Sequence, residues 1–464
     1  MARQRLRRIL RRTALILAAG ILLGLVLVKL RYGGGAPYPD VSTPPRVTDM
    51  RVLVELDLPP GNVTSSRDGR IFFNTHPFTQ SHRFTDAFLF ELVDGAPRPY
   101  PDATSQADMQ FVFGMTVDAQ NRLWLVSPAT LDRERTRIQA YDLGSNRRVI
   151  DHELAPGAGR FAQDLRVSLD GQTLFLADTG AFRFTHAAIL IVNVNGWTVR
   201  EALEGDPSTQ PQDWVIRTRQ GPYRIGYGLL SFQVGVDGIA LSKDGAWLYF
   251  GTMSHDTLHR VRTEHLLDTR LSPGELASRV EKVGKKPLSD GIEVAADGSV
   301  LITDIENGGV ARVDPSGRLE TLVRDTAITW ADGITIASNG DVLFTDSSIP
   351  SYIDPLLRPP TIDRLRAGRR SQARSACVIG GCRMHARPRA QRTIPLRVAR
   401  SAAAPTAIQS SRARWRGWDM ESGQRSPRRA GPSSARYDVA RRRARRINSA
   451  ATTDARASAP IGSL

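Results

Sequence analysis

Residues Asp237–Phe250 read D-G-I-A-L-S-K-D-G-A-W-L-Y-F, and close copies of this phrase start at Asp290 and Asp332. Each copy combines an alternating apolar strand, a turn with Asp-Gly or Asn-Gly, and a second, more apolar strand. Weaker copies occupy Gln163–Asp178, Phe113–Leu125 and Gly61–Asn74. The starts at 61, 113, 163, 237, 290 and 332 are 52, 50, 74, 53 and 42 residues apart. Repeats of this period are typical of propellers and solenoids.

The six copies predict an all-β protein, a six-bladed β-propeller with four strands in each blade. The long interval between the third and fourth copies predicts an insertion at Glu204–Leu230. The alternating segment Arg51–Leu58 precedes the first copy, and we expect it to pair as the outer strand of the last blade. Thr361–Arg366 is then that blade's third strand, and the pairing covers sheet edges that are otherwise open at the seam.

Charge is distributed unevenly along the 464 residues. Residues 1–31 hold eight Lys and Arg and no acid, and residues 366–464 hold 23 Arg and four acids, so the two ends carry +8 and +19. With a net charge of +16, residues 32–365 carry 16 − 8 − 19 = −11. The predicted propeller is therefore acidic. It favours cations or cationic small molecules as partners, and we expect no nucleic-acid partner.

The first 31 residues predict a membrane anchor. Six arginines within residues 1–12 precede the uncharged apolar run Ala14–Val28, and no convincing cleavage site follows. We favour an uncleaved transmembrane signal anchor over a cleaved signal peptide. The positive-inside rule then places the rest of the chain on the extracytoplasmic side, periplasmic or secreted. Residues 32–50, rich in Gly and Pro at the start, are predicted to be a linker to a propeller at residues 51–365.

Residues 366–464 have a different character, because they are rich in Arg, Ala, Ser and Pro and contain no Lys. Such a segment does not bury enough apolar surface to fold alone, so we predict a disordered tail. One interpretation is a basic tail that binds polyanions around Arg441–Arg446. The other, which we favour, is a shifted reading frame in a GC-rich gene. Both cysteines, Cys377 and Cys382, lie in this tail, and one C-x4-C pair is poor evidence for zinc.

The order of several phrases resembles the major royal jelly protein/Yellow family, in its bacterial branch. The phrases with this resemblance include F-V-F-G-M-T-V-D at Phe111–Asp118, L-E-G-D-P-S-T at Leu203–Thr209, K-P-L-S-D-G-I at Lys286–Ile292 and W-A-D-G-I at Trp330–Ile334. The resemblance covers about residues 50–360. It implies a propeller outside the cytoplasm that binds small molecules, aromatic or cationic, through its central channel.

A more distant resemblance is to the gluconolactonase/senescence-marker-protein family of calcium-dependent lactonases. That family's metal site uses a Glu from the first blade, an Asn, and an Asp in a D-G motif. Here Asp290 matches the Asp and Asp237 stands where Asn is expected, but Pro60-Gly61-Asn62 replaces the motif that carries the Glu. The resemblance implies Ca²⁺ as a cofactor, and the missing Glu counts against the complete site.

Aligning the copies nominates a binding site at the start of the inner strands, which faces the channel. The first three copies place Gly61, Phe113 and Gln163 there, and the last three place aspartates. We predict Asp237, Asp290 and Asp332 as ligand-binding residues and as ligands of a hard cation such as Ca²⁺. Their crowding also raises their pKa values, so that Asp237 or Asp290 can serve as a general base. The alternative is that each aspartate only caps local backbone N–H groups.

Three further residues are weaker candidates. His76 and His255 follow the second strands of their blades and are candidate catalytic bases or ligands; the alternative is an ordinary loop histidine. Trp330, beside Asp332, is a candidate for stacking on an aromatic or cationic ligand, against simple packing between blades. The sequence contains no G-x-S-x-G, P-loop or paired C-x-x-C motif, so it gives no support to serine hydrolases, nucleotide binders or zinc fingers.

Three functions remain open at this point. The first, favoured by the main resemblance, is a membrane-anchored propeller that binds or converts a small molecule, aromatic or cationic. The second is a calcium-dependent lactonase. The third is a non-catalytic scaffold that uses a propeller face for protein contacts. Repeats and composition fix the architecture better than the activity, because one fold supports many functions.

Overall fold

The computed structural model describes residues 2–46, 50–56, 58–79, 85–109, 111–130, 133–353 and 363–368. Helix α1, Ala2–Tyr32, comes first. It is exposed along its length, and it is long and apolar enough to cross a membrane. Two strands follow, β1 at Ala36–Pro37 and β2 at Met50–Leu56. The predicted tail, residues 366–464, lies outside the described residues from position 369 onward.

Five blades account for most of the β-structure, and each is a four-stranded antiparallel sheet of four consecutive strands. From the inner strand outward, blade 1 contains β3 Pro60–Ser65, β4 Ile71–Thr75, β5 Leu89–Val93 and β6 Ala96–Pro99; blade 2 contains β7 Gly114–Val117, β8 Arg122–Ser127, β9 Arg137–Asp142 and β10 Arg147–Glu153; and blade 3 contains β11 Ala162–Val167, β12 Thr173–Asp178, β13 Ala188–Asn193 and β14 Thr198–Ala202. Short 3₁₀ turns lie at Pro77–Thr79 and Thr104–Asp108.

The predicted insertion separates blades 3 and 4 and forms only short two-residue strands: β15 Trp214–Val215, β16 Arg217–Thr218, β17 Gly221–Pro222, β18 Arg224–Ile225 and β19 Leu230–Ser231. Blade 4 contains β20 Val236–Leu241, β21 Trp247–Thr252, β22 Thr257–Arg262 and β23 Glu281–Lys285, with the short helices α2 Thr263–Leu267 and α3 Pro273–Ala277 before its last strand. Blade 5 contains β24 Ile292–Val294, β25 Val300–Asp304, β26 Gly309–Val313 and β27 Leu319–Arg324.

The predicted six-bladed architecture needs a correction. The described residues form five blades of consecutive strands, and the last copy of the repeat joins a sheet of different composition. This closing sheet has the order β2-β30-β29-β28, where β28 is Ala331–Ile336, β29 is Val342–Asp346 and β30 is Asp363–Gly368. Helix α4, Pro350–Ile353, precedes β30. The repeat count failed here because the last copy supplies only two strands before the chain enters a segment without the pattern.

The edge pairing expected for the N-terminal segment is confirmed. Strand β2 pairs antiparallel with β30, with Met50 opposite Gly368 and Leu56 opposite Asp363. Strand β28 packs on β3 of blade 1 and on β24 and β25 of blade 5. The closing sheet therefore joins the two ends of the blade series and covers edges that would otherwise offer unpaired backbone groups.

The core lies between the faces of neighbouring blades. One apolar cluster joins blades 3 and 4 and includes Phe175, Ile189, Ile239 and Phe250, each at most 1% exposed. A similar cluster joins blades 4 and 5. Alternating side chains on each strand supply both faces, which is the physical reason that the repeat phrase is apolar at nearly every second position.

The hairpin turns within the repeat differ from the predicted two-residue type. At Ser242–Gly245 the Gly245 N–H donates to the Ser242 carbonyl oxygen, and only the glycine has positive φ, at 69°. The Asp244 carboxylate accepts a hydrogen bond from the Ser242 hydroxyl and caps the turn. The Asp-Gly pair of the turn is thus explained by one left-handed glycine and one capping aspartate.

The insertion folds back over one end of the propeller and forms a cap, which we define as residues 204–234. Ile216, Tyr223 and Phe232 of the cap are buried in one apolar cluster with Trp330 of the closing sheet. Residues that precede the blades join this cluster through Tyr38, which is 4% exposed and donates a hydrogen bond to the Lys286 carbonyl oxygen at 2.8 Å. The cap is therefore part of the wall around the channel.

Candidate functional site

The aspartates of the repeat stand where the inner strands are irregular. The pairing of β20 with β21 shifts register between Val236 and Gly238, on either side of Asp237. The pairing of β28 with β29 shifts between Ala331 and Ile334, around Asp332. Such bulges bend a strand and redirect a side chain, here toward the channel. Asp290 lies two residues before β24 and occupies the same position in blade 5.

The glycine after each aspartate allows neighbouring inner strands to approach closely. A Cβ atom at Gly238 would lie 2.5 Å from the Asp290 carbonyl oxygen, and one at Gly291 would lie 2.7 Å from the Asp332 carbonyl oxygen. Both separations are too short for any side chain. The Asp-Gly pair at the strand start therefore places a carboxylate beside the channel while keeping the backbones close enough to crowd those carboxylates.

The aspartates line a narrow cavity at the centre of the propeller, with a volume of about 30 Å³. That volume holds one or two water molecules or a small ion. The cavity brings together three of the six predicted candidates, Asp237, Asp290 and Asp332, and a fourth, His76. Its full lining comprises Asn62, Asn74, His76, Pro77, Phe113, Gln163, Asp164, Asp237, Gly238, Asp290, Gly291, Asp332 and Gly333.

Burial makes these carboxyl groups weak acids. Desolvation raises the pKa of Asp290 to about 7, against the hydrogen bond from Trp330, which lowers it. Desolvation, followed by the charge of Asp290, raises the pKa values of Asp237 and Asp332 well above the ordinary range. Because each ionised carboxylate opposes the ionisation of the next, the cluster holds protons near neutral pH.

Several buried oxygens in this cavity have no hydrogen-bond partner: Asp237 Oδ2, Asp332 Oδ2 and Asn74 Oδ1. Unpaired buried oxygens are costly, so they point to a ligand or to a proton on the carboxyl groups. Among the residues that the structure describes, no group of three His, Cys, Asp or Glu side chains is arranged to hold a metal ion. An ion in this cavity would need the amide oxygens of Asn62 and Asn74 as well.

His76 faces the same cavity from blade 1. Its Nε2 atom lies 3.7 Å from Asp332 Oδ2, and burial lowers its pKa to about 3. The Nδ1 atom accepts a hydrogen bond from the Phe78 N–H at 3.2 Å, which leaves the proton of the neutral ring on Nε2. The histidine is therefore a neutral donor directed at the acidic cluster.

Trp330 does not line the narrow cavity. Its indole Nε1–H donates to Asp290 Oδ2 at 2.8 Å, and its ring is fully buried against Tyr223 and Phe232. Because Tyr223 and Phe232 cover its ring, Trp330 has no free surface on which a ligand could stack. Its contact with Asp290 instead orients the carboxylate.

His255 lies apart from the aspartates. Its ring packs edge-on against His259 at 5.0 Å, and its Nδ1 atom accepts a hydrogen bond from the Thr257 N–H. Burial and, next, the positive charge of Lys286 lower the pKa of His255 to about 4. The structure thus groups His255 with a second set of buried basic residues and not with the central cavity.

A second, larger cavity opens above the first, and we call it the vestibule. It has a volume of about 370 Å³ and shares His76, Phe113, Gln163 and Asp290 with the narrow cavity. Its walls are mainly apolar and carry six phenylalanines: Phe78, Phe111, Phe113, Phe161, Phe182 and Phe232. Asp290, His76 and Gln163 are the polar groups that it shares with the narrow cavity, and Arg160 also lines it.

Much of this site could not be predicted from the repeats. Phe113 and Gln163 occupy the channel position of their repeats, which was the available signal for them. Asn62, Asn74 and Asp164 flank repeat positions and gave no separate signal. The remaining phenylalanines come from loops after the strands, where the repeats do not align.

Comparison with known proteins gives fold-level similarity only. No family model matches the chain, and no curated protein sequence matches it. A gluconolactonase from Xanthomonas campestris is similar in structure, with a TM-score of 0.45, 16% identity, and coverage of 72% of this chain and 97% of that one. A calcium-binding protein, regucalcin, from Agrobacterium tumefaciens has a TM-score of 0.41, 16% identity, and coverage of 69% and 92%. A streptogramin B lyase has a TM-score of 0.40, 14% identity, and coverage of 69% and 97%.

These neighbours are gluconolactonase-like and related β-propellers. They lend no support to the resemblance to royal jelly and Yellow proteins.

Proposed function

We propose that this chain is a small-molecule hydrolase of the lactonase type, in which Asp290 acts as the general base on a cyclic ester bound in the vestibule. The observation that supports the proposal is the position of Asp290. It is the carboxyl group common to both cavities, and burial raises its pKa to about 7. A base with a pKa near the working pH is effective, because it is both available and strong enough.

The proposed reaction needs only groups that line the cavities. Asp290 takes a proton from a water molecule as the water oxygen bonds to the ester carbonyl carbon. The ring C–O bond then breaks, and the leaving oxygen takes the proton from Asp290, so that the product is a hydroxy acid. Asp237 or Asp332, protonated because burial raises its pKa, donates a hydrogen bond to the developing oxyanion.

The vestibule favours a substrate with an apolar or aromatic body. Six phenylalanines surround the floor, and apolar lining binds by excluding water from matching surface. The raised pKa values disfavour an amine ligand, because a single ammonium charge is too weak to displace the protons of these buried carboxyl groups. We therefore expect an aromatic lactone to be a better substrate than a polyhydroxylated one.

Calcium fits the donor chemistry of the narrow cavity. The unpaired oxygens of Asp237, Asp332 and Asn74 are hard ligands of the kind that Ca²⁺ prefers, and Asn62 lines the same space. We propose these four residues as the set that would hold the ion, whose double charge would displace the protons of Asp237 and Asp332 and leave Asp290 free as the base. When bound, Ca²⁺ would polarise the ester carbonyl oxygen as a Lewis acid.

The test of the reaction compares two lactones and two variants. The full chain should open dihydrocoumarin, an aromatic lactone, with a kcat/KM at least about tenfold above that for glucono-δ-lactone. Asp290→Asn should lower kcat by about 10²–10⁴-fold. Asp118→Asn is the matched control, because Asp118 is a buried carboxylate that lines neither cavity; it caps the turn after β7 and holds Arg122 and Trp124. It should lose stability and keep its turnover; hydrolysis that survives in Asp290→Asn would overturn the proposal.

The calcium proposal has a separate readout. Millimolar CaCl₂ should raise the thermal unfolding midpoint of the wild type and should not raise that of Asp237→Asn, because only the native state binds the ion. No shift in the wild type at about a thousandfold the expected micromolar Kd would overturn calcium binding and leave the general-base proposal standing.

The same chain carries a proposed anchor. Helix α1 is long enough to span a bilayer, and the arginines at its start favour the cytoplasmic side. We propose that it is an uncleaved signal anchor that holds the propeller on the extracytoplasmic side. Protease added to intact spheroplasts should digest the propeller. A propeller that is protected from the protease would show that it lies on the cytoplasmic side and would contradict this orientation.

A further inference from the structure

The segment after α1 is attached directly to the cap. Strand β1 pairs parallel with β15 of the cap, with Ala36 opposite Trp214. The Arg224 guanidinium donates to the Gly33 carbonyl oxygen at 3.2 Å, and the Ser231 hydroxyl donates to that of Gly34. Lys29, within the last turn of α1, donates to the Gly228 carbonyl oxygen. The helix therefore passes into the cap without a free linker.

This attachment limits how far the cap can lie from a membrane. Only residues 33–35 separate the end of α1 from β1, and three residues span at most about 11 Å. The headgroup layer on one side of a bilayer is about 5–8 Å thick. If α1 crosses the bilayer, the cap segment around Gly228 lies at the level of the headgroups, because the Gly228 carbonyl oxygen accepts a hydrogen bond from Lys29 in the last turn of α1.

Large exposed apolar side chains lie on this side of the molecule. Tyr227, next to Gly228, is 83% exposed. Phe184 is 52% exposed, and its ring lies 4.6 Å from that of Tyr32 at the end of α1. Phe78 and Phe111, on the wall of the vestibule, are 38% and 40% exposed. Single exposed apolar residues are ordinary, but here two line the vestibule and the other two lie beside the end of α1.

The cap also forms part of the vestibule. Phe232 and Val234 line its wall, and Phe182, two residues before Phe184, lines it from blade 3. Phe182 and Phe232 pack together with ring centroids 5.4 Å apart. The opening of the vestibule and the attachment of the helix are therefore on the same end of the propeller.

We infer that the face bearing the cap and the vestibule rim lies on the surface of the membrane, with Tyr227 and Phe184 in the headgroup layer. Tyrosine, with an apolar ring and a polar hydroxyl, favours this layer, and the apolar Phe184 ring lies beside Tyr32 at the end of α1. The vestibule then opens at the lipid surface, and apolar ligands enter it from the bilayer. The assignment of the surface stands whether or not the chain hydrolyses lactones; the entry of a lactone by this route rests on the proposed function.

The test measures lipid contact in the full chain. The protein, with Cys377→Ser and Cys382→Ser, is reconstituted in phosphatidylcholine nanodiscs, and a fluorophore is attached to Tyr227→Cys or Phe184→Cys. Leu169→Cys is the matched control, because Leu169 is 49% exposed and apolar but lies in the turn after β11. That turn is about 20 Å from vestibule residue Gln163 by strand rise.

Headgroup-level spin-labelled lipid should quench the Tyr227 and Phe184 probes about threefold more than the Leu169 probe. Equal quenching at all three positions, or stronger quenching at Leu169, overturns the inference. The unmodified chain gives a second measurement if a labelled variant fails to fold. Backbone amides of residues 223–231 should exchange hydrogen at least about threefold more slowly in nanodiscs than in detergent, and an unchanged rate also overturns it.

Discussion

The two sides of the narrow cavity differ in their acidic groups although they come from copies of the same phrase. Blades 1 and 2 supply Asn62, Asn74, His76 and Phe113, which are neutral at pH 7. Blades 3 to 5 and the closing sheet supply Asp164, Asp237, Asp290 and Asp332. The repeated backbone position thus determines where a side chain points, and the residue type at each copy determines its chemistry. Desolvation and, after it, the crowding of the carboxyl groups on one side raise the pKa values of Asp237, Asp290 and Asp332.

Asp290→Asn should change the pH dependence of stability most. In the wild type, burial raises the pKa of Asp290 from 3.8 to about 7. The carboxyl group is neutral in both states below about pH 4, and between about pH 4 and 7 only the unfolded chain ionises, so the free energy of unfolding falls as pH rises. A shift of about three pKa units corresponds to about 4 kcal/mol.

Denaturant unfolding at pH 4 and pH 8 measures this effect. The decline in the free energy of unfolding between the two pH values should be smaller in Asp290→Asn than in the wild type. Asp170→Asn is the control, because hydrogen bonds from Ser168 and Gln172 lower the pKa of that exposed carboxylate, so its contribution has the opposite sign. If the free energy of unfolding depended on pH identically in Asp290→Asn and the wild type, the raised pKa of Asp290 would be contradicted.

Asn74→Asp should place a carboxyl group on the neutral side of the narrow cavity and lower the free energy of unfolding by about 2–3 kcal/mol. The Asn74 amide N–H₂ donates to the Val112 and Phe113 carbonyl oxygens, and an aspartate loses both bonds. The new carboxyl group should also raise the pKa values of its neighbours. Unfolding of Asn74→Asp and of the control Asn339→Asp, in an exposed turn, gives the comparison; equal stability of the two variants would show that the neutral side tolerates charge.

Trp330→Phe should have the smallest effect, of about 1 kcal/mol on the ionisation of Asp290. The indole N–H bond lowers the pKa of Asp290, so its loss should raise that pKa. The acidic limb of the pH–rate profile for lactone hydrolysis should then move to higher pH, while activity above pH 8 is kept. Loss of activity that is uniform across pH would instead show a packing defect around the buried ring.

The spacing of the repeats decides which parts of the fold and of the site could be predicted from the sequence. The three aspartates occupy one repeat position, so their convergence on the channel could be predicted. The bulges around Asp237 and Asp332 could not, because a one-residue register shift leaves the apolar alternation nearly intact. The vestibule escaped prediction because Phe182 and Phe232 lie in loops and in the cap, where the period gives no alignment. The number of regular blades was overestimated, because the phrase marks two strands and says nothing of the other two.

The closing sheet has a consequence for the order of folding. Met50 and Gly368 pair across more than 300 residues of chain, whereas the strands within each regular blade are close in sequence. Closing so long a loop carries an entropic cost that the local hairpins avoid, and contacts of high sequence separation form slowly. The five blades can assemble one after another as the polypeptide is made, while β2 stays unpaired until β30, which follows all five blades in the chain, has been synthesised. Until β30 arrives the structure is an open arc, and the time spent in that form sets its exposure to proteases and to other unfinished copies.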